Sequence, residues 1–92
     1  MKTIWKYPLV IMDSQVVVAP EGAEFLSVTE QAGSPMLYAL VDPKAPMTSY
    51  EVQIRGTGYP VDKALLQGHV FLGSVSTNTG LLVWHVFVEK RF

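Results

Sequence analysis

Cysteine is missing from the 92 residues. Its absence excludes a disulfide framework, a thiolate nucleophile, an iron–sulfur cluster and a cysteine-ligated zinc site. Charge is scarce as well: seven basic and eight acidic side chains leave a formal net charge of −1. The chain therefore lacks the long-range field by which nucleic-acid binders, or acidic imitators of nucleic acid, attract their partners. Long apolar runs are also lacking. The longest, Leu81 to Val88, is interrupted by His85 and falls far short of the ~20 residues a membrane helix requires. Met1 to Val10 carries Lys2 and Lys6, but Trp5, Tyr7 and Pro8 interrupt any apolar signal core and no small-residue cleavage site follows. This segment reads as part of the folded domain.

What remains is rich in strand formers. Thirteen Val, three Ile, six Thr and ten aromatics favour pleated surfaces, where branched side chains pack well and lose little rotamer freedom. Helix formers are sparse outside one short stretch. Turn residues at Pro8, Asp13-Ser14, Pro20 to Gly22, Gly33 to Pro35, Asp42-Pro43, Pro46, Gly56 to Pro60, Gly68 and Asn78 to Gly80 cut the chain into runs of strand length. The expected fold is all-β: a small antiparallel sandwich or partly closed barrel of about seven strands, spanning residues 1–92 as one domain with at most one short helical turn.

The strand runs are Thr3 to Val10, Gln15 to Ala19, Glu24 to Thr29, Met36 to Val41, Ser49 to Arg55, Val70 to Ser76 and Leu81 to Glu89. Pro8 lacks a backbone donor and marks the first as an edge or a bend. Glycine in Ala32 to Pro35 predicts a hairpin between the third and fourth runs, and Thr77 to Gly80 predicts another between the last two. Tyr50, Val52 and Ile54 alternate with Glu51, Gln53 and Arg55, the pattern of a strand wet on one face. Leu81 to Val88 is apolar on both faces and is expected in the middle of a sheet. Val61 to Gln67 reads as a helical turn or a loop.

Chemical motifs are few. His69 and His85 are the side chains whose ordinary pKa lies near neutrality, and pairing of the last hairpin would bring them toward one end of the sheet, as candidates for a shared metal or a small histidine-dependent activity. Packed or hydrogen-bonded histidines account for them better, because no carboxylate stands at ligand spacing. Gly73-Ser74-Val75-Ser76 lacks the second glycine of a nucleophile elbow. Gly56-Thr57-Gly58-Tyr59-Pro60 lacks the lysine and helix of a phosphate loop and reads as a tight turn. The acids are scattered, with no spacing that selects a pair for glycoside chemistry. No catalytic residue and no cofactor are assigned. Trp5, Tyr7, Tyr50, Tyr59, Phe71, Trp84, Phe87 and Phe92 would make a stacking platform for single-stranded nucleic acid only with basic flanks. Such flanks require the first and last strands to be neighbours, gathering Lys2, Lys6, Lys90 and Arg91.

Met1 to Tyr7 (MKTIWKY), Ala39 to Pro43 (ALVDP), Gly56 to Pro60 (GTGYP) and Leu82 to Phe87 (LVWHVF) resemble a family of short, uncharacterised bacteriophage and prophage proteins. That family opens M-K-x-I-W-K-Y, carries a G-T-G-H-P-like turn and closes with a V-W-H-V-F-like strand. The resemblance covers nearly the whole chain. It implies synthesis in the cytoplasm of an infected bacterium and supplies no mechanism. Tyr59 stands where the family often has histidine, which argues against a histidine-dependent activity at that turn.

Apolar and aromatic surface in excess of what a small core absorbs, on a chain of near-zero charge, leads to the expectation of a non-catalytic protein-binding module. An inhibitor of a host defence or another host factor fits that description, with a structural or assembly protein of the virion as the alternative. Trp5, Tyr7, Tyr50, Tyr59 and Arg55 are the expected contact residues, since Tyr, Trp and Arg dominate binding hot spots. A homo-oligomer is expected too, because the free edges of a small sheet must be paired, covered or blunted.

Overall fold

The computed structural model describes residues 1–77 and 80–91. Seven strands and one helix follow one another: β1 (Thr3–Pro8), β2 (Ser14–Pro20), β3 (Glu24–Gln31), β4 (Ser34–Val41), β5 (Met47–Gly56), α1 (Lys63–Gly68), β6 (His69–Thr77) and β7 (Leu82–Glu89). They form two antiparallel sheets, of order β1-β4-β3 and β2-β5-β7-β6. The sheets stay separate, so the sandwich is realised and not a closed barrel. β3 of one sheet runs beside β6 of the other. At this seam a Cβ on Gly73 would lie 3.2 Å from Val28 Cγ1, so glycine sets the closeness of approach.

The core follows from strand alternation. In β4 every second residue is buried, from Pro35 through Leu37 and Ala39 to Val41. In β5 the buried set is Tyr50, Val52 and Ile54, of which Val52 pairs with Val88 and Ile54 with Val86 of β7. A half-buried pleated surface of this kind is where branched side chains pack best. β7 lies between β5 and β6, the interior position expected for it, and side chains of the flanking strands cover part of its outer face. Leu65 of α1 and Phe87 of β7 are buried outside this main cluster. Phe87 belongs to the opposite face of β7, where it packs on Phe71 with ring centroids 5.4 Å apart.

Turn chemistry accounts for the connections. Gln31 pairs with Ser34 across the β3–β4 hairpin, and Ala32 and Gly33 both take positive φ, 53° and 86°. The turn is therefore two residues long, and Ser34 and Pro35 belong to β4. Positive φ at both central positions matches the right-handed twist of the flanking strands but strains alanine. At the β6–β7 turn Gly80 has φ +88° and donates its N–H to Thr77 C=O at 3.2 Å. Asn78 and Thr79 of the expected turn, and Phe92 of the aromatic set, lie outside the described residues. The stretch expected as a helical turn or a loop contains α1, capped by Asp62 Oδ1, which accepts from Leu65 N–H at 2.7 Å.

Two tyrosines of the core contrast. Tyr50 hydroxyl donates to Pro20 C=O at 3.1 Å and accepts from Ala23 N–H at 3.2 Å, tying the β2–β3 connection to β5. Tyr7 hydroxyl is buried and has no hydrogen-bond partner among the described residues. Burial pushes the Tyr7 phenol above its ordinary pKa, with a contribution from neighbouring Tyr50. An unsatisfied buried polar group costs about 1–3 kcal/mol. Tyr7→Phe is accordingly expected to raise the unfolding free energy by about 1 kcal/mol, seen as a higher urea midpoint at unchanged slope. Ala32→Asn, which tolerates positive φ, is expected to stabilise by about 0.5–1 kcal/mol in the same assay.

Candidate interaction site

β5 leaves its sheet at Gly56, where the turn begins. Tyr59 N–H donates to Gly56 C=O at 3.1 Å, and Gly58 sits at φ +90°. A Cβ on Gly56 would lie 3.0 Å from Tyr59 Cδ2 and 3.1 Å from Trp84 Cζ3. Both rings thus pack directly on the glycine, and any side chain there would displace them. Trp84 has its indole N–H satisfied by Thr77 Oγ1 at 2.8 Å. Tyr59 remains 68% exposed although its backbone is fixed.

Arg55 borders the same place. Its Nη1 donates to Asp13 C=O at 2.8 Å and to Ile54 C=O at 3.0 Å, which anchors the guanidinium to the β1–β2 connection. With Ile11, Met12, Asp13, Gly56, Tyr59 and Trp84 it lines a cleft of about 240 Å³. The rim is apolar and wet: Ile11 and Met12 are 43% and 55% exposed, and Val10, next to them in the chain, 56%. The backbone on either side of Ile11 and Met12 is anchored: the Gln15 side chain bonds both backbone groups of Val10, at 3.1 Å to its N–H and 2.7 Å to its C=O, and Asp13 C=O accepts from Arg55 and from Ile54 N–H. A fixed apolar rim around two aromatic rings and an arginine has the make-up of a protein-contact hot spot.

The expected contact residues fall in three places. Arg55 and Tyr59 meet at the cleft. Trp5 and Tyr7 lie on β1, where they line an open groove with Ile4, Lys6 and Tyr38. Tyr50 is 2% exposed; it packs edge-on against Phe25 at 5.1 Å and lies under the Arg91 guanidinium at 4.4 Å. Ile11, Met12 and Trp84 were not among the expected contacts. The signal for the first two was the apolar run Val10 to Met12 placed just before the turn residues Asp13-Ser14, where a loop is usually polar.

The basic patch imagined at the chain ends does not assemble. β1 pairs with β4, and β7 lies between β5 and β6 in the other sheet. The two histidines do not converge either. His69 stands opposite Glu89, and His85 opposite Ser74, a separation of about 13 Å along β7 at the usual strand rise. His69 Nε2 meets Glu51 Oε1 at 2.9 Å and its Nδ1 meets Leu65 C=O at 3.1 Å. His85 is held between hydroxyls, Ser74 Oγ on Nδ1 at 2.7 Å and Thr57 Oγ1 on Nε2 at 2.8 Å. Among the described residues no three His, Asp or Glu side chains gather as a metal would require. No helix among them is long and apolar enough to cross a membrane.

The fold and this surface define a small two-sheet antiparallel β-sandwich with an apolar, arginine-bearing cleft at one end. The chain belongs to the DUF7352 family, a domain of unknown function whose family model matches residues 1–92. No curated protein and no solved structure matches it.

Glu51 links strand β5 to the helix end, and its ionisation is coupled to folding. Hydrogen bonds from Gln53 Nε2, at 3.0 Å, and from His69 hold its carboxyl below the ordinary value. A depressed folded-state pKa adds stability above the unfolded pKa and loses it as pH falls through the folded one. Unfolding free energy is therefore expected to decline on acidification below about pH 4.5, the ordinary value. Glu51→Gln should flatten that part of the profile in urea titrations at stepped pH.

Proposed function

We propose that this chain is a non-catalytic protein-binding module of bacteriophage or prophage origin, acting in the cytoplasm of an infected bacterium by covering a host factor, with host defence proteins as the first class of target. The observation that carries this reading is the cleft end of the sandwich, where exposed Ile11, Met12 and Tyr59 surround Arg55 and Trp84. Because the backbone that carries them is anchored at Val10, Asp13 and Tyr59, these side chains need little backbone ordering on association. The engagement of both imidazoles by hydroxyls, a carbonyl and a carboxylate supports a structural role for them. Sequence motifs at Met1 to Tyr7, Ala39 to Pro43, Gly56 to Pro60 and Leu82 to Phe87 support the phage origin.

Self-association accompanies this proposal. β2 is the edge of the four-stranded sheet opposite β6, contains no charged residue from Ser14 to Pro20, and exposes Val16 and Val18. An uncharged edge of this kind is open to pairing with its own copy.

The test uses wild-type protein and the Tyr59→Ala and Met12→Glu variants as baits in lysates of infected and uninfected host. A host protein retained by the wild type and reduced about tenfold or more by both variants, at unchanged thermal unfolding, is the expected result. Equal retention by all three baits, or incorporation of the chain into purified virions, would overturn the reading.

A further inference from the structure

The free edge of the other sheet carries a different chemistry. β1 borders the three-stranded sheet with only β4 as a neighbour. Leu9 N–H donates to Pro35 C=O at 3.0 Å, and this pair continues the β1–β4 register. Because hydrogen-bonded and non-hydrogen-bonded pairs alternate in an antiparallel ladder, Tyr7, Trp5 and Thr3 spend their backbone groups on β4. The N–H and C=O of Ile4 and Lys6 then face outward, as does the C=O of Pro8. A groove of about 470 Å³ runs along this edge, lined by Ile4, Trp5, Lys6, Tyr7 and Tyr38.

Side chains at the edge have a definite sign. Lys2, Ile4 and Lys6 are exposed and share one face by strand alternation. Across β4 this face presents Leu40 and Tyr38, neither of them acidic. Asp42 stands opposite Lys2, one step beyond the last ladder pair Thr3–Val41, but its Oδ1 is taken by Lys44 N–H at 3.0 Å and it forms no ion pair with Lys2 among the described residues; Glu24 lies two strands away on β3. The ion pairs among the described residues are His69–Glu51 and Arg91–Glu89, so Lys2 and Lys6 have none. A second copy docking antiparallel about Ile4 would set Lys2 against the partner's Lys6, and like charges directly opposite are destabilising. The opposite face offers half-buried Trp5 and Tyr7.

We propose that the β1 edge binds an acidic peptide segment in extended conformation, added as a fourth strand, with carboxylates opposite Lys2 and Lys6 and apolar side chains over Trp5 and Tyr7. The proposal rests on reading the chain as a protein-binding module and assigns a surface separate from the cleft. Trp5 and Tyr7 turn toward the interior of the sandwich, which favours an apolar side chain over a stacked base. Pro8 limits the pairing to the stretch before it, because it offers no donor.

Fluorescence anisotropy on the purified chain tests this with a labelled peptide of about seven residues alternating glutamate and valine. Binding is expected, weakening as salt rises from about 50 to about 300 mM and vanishing when alternate peptide nitrogens are methylated. The Lys2→Glu/Lys6→Glu double variant, altered only at exposed positions, should lose about tenfold in affinity and gain binding of the alternating lysine–valine peptide. Absence of binding to the acidic peptide by protein with unchanged circular dichroism overturns the proposal. So does equal binding by the double variant, or tighter binding of an oligothymidylate. Defined components keep the two readings apart: loss of the peptide result leaves capture dependent on Tyr59 standing, and the reverse also holds.

Discussion

Every feature of this molecule depends on two sheets, each apolar on one face, covering each other. A chain of this size buries only about 60 to 65% of the surface its unfolded form exposes, so the inner faces of β4, β5 and β7 must supply much of the core, with Leu9, Val17, Ala19, Val28 and Val75 contributed by the rest of the chain. They do so by strict alternation, with Leu37 and Ala39 on one side and Val52, Ile54, Val86 and Val88 on the other. A slip of one residue in any of these strands would turn its apolar set outward. The glycine approach of Gly73 to Val28 fixes the sheets at the seam. Tyr50 fixes them at the β2–β3 connection through both of its hydroxyl hydrogen bonds.

Much of this was legible in the chain because strand periodicity is a local signal. The seven runs match the seven strands to within about two residues, the usual uncertainty at element ends. The β3–β4 hairpin and the interior position of β7 followed from glycine placement and from apolarity on both faces, whereas the turn is two residues shorter than the expected loop Ala32 to Pro35. Strand order was not legible. That β1 joins β4 and β2 joins β5 is a matter of long-range pairing, and several partners of similar apolarity were available to each. The choice between a sandwich and a barrel depended on the same missing information.

The candidate site was legible where its residues are close in sequence. Arg55 and Tyr59 flank one turn, so their meeting required no knowledge of topology. Trp84 and Met12 join them only because β7 pairs with β5 and because Ile54 N–H bonds to Asp13 C=O at 3.1 Å. For Tyr50 two rules competed: its residue type favours contact surfaces, whereas its alternation with Val52 and Ile54 places it inside. Burial of the apolar face is the larger effect, about 1.5–3 kcal/mol for a large side chain. For the histidines, spacing around the hairpin was ambiguous, and their partners Glu51 and Thr57 come from β5 and the turn that follows it.

The seam between β3 and β6 has one more consequence. Because the two sheets come together along that side, β1 and β2 end up as the borders opposite it, and these two strands follow each other directly in the chain. The two borders away from the seam, and the apolar stretch Val10 to Met12 between them, are thus encoded by one continuous stretch at residues 1–20. Recombination replacing that short piece of gene would exchange both of these borders and one wall of the cleft, while the pairs β5–β7 and β6–β7, with Arg55, Tyr59 and Trp84 on the other wall, would pass unchanged to the hybrid.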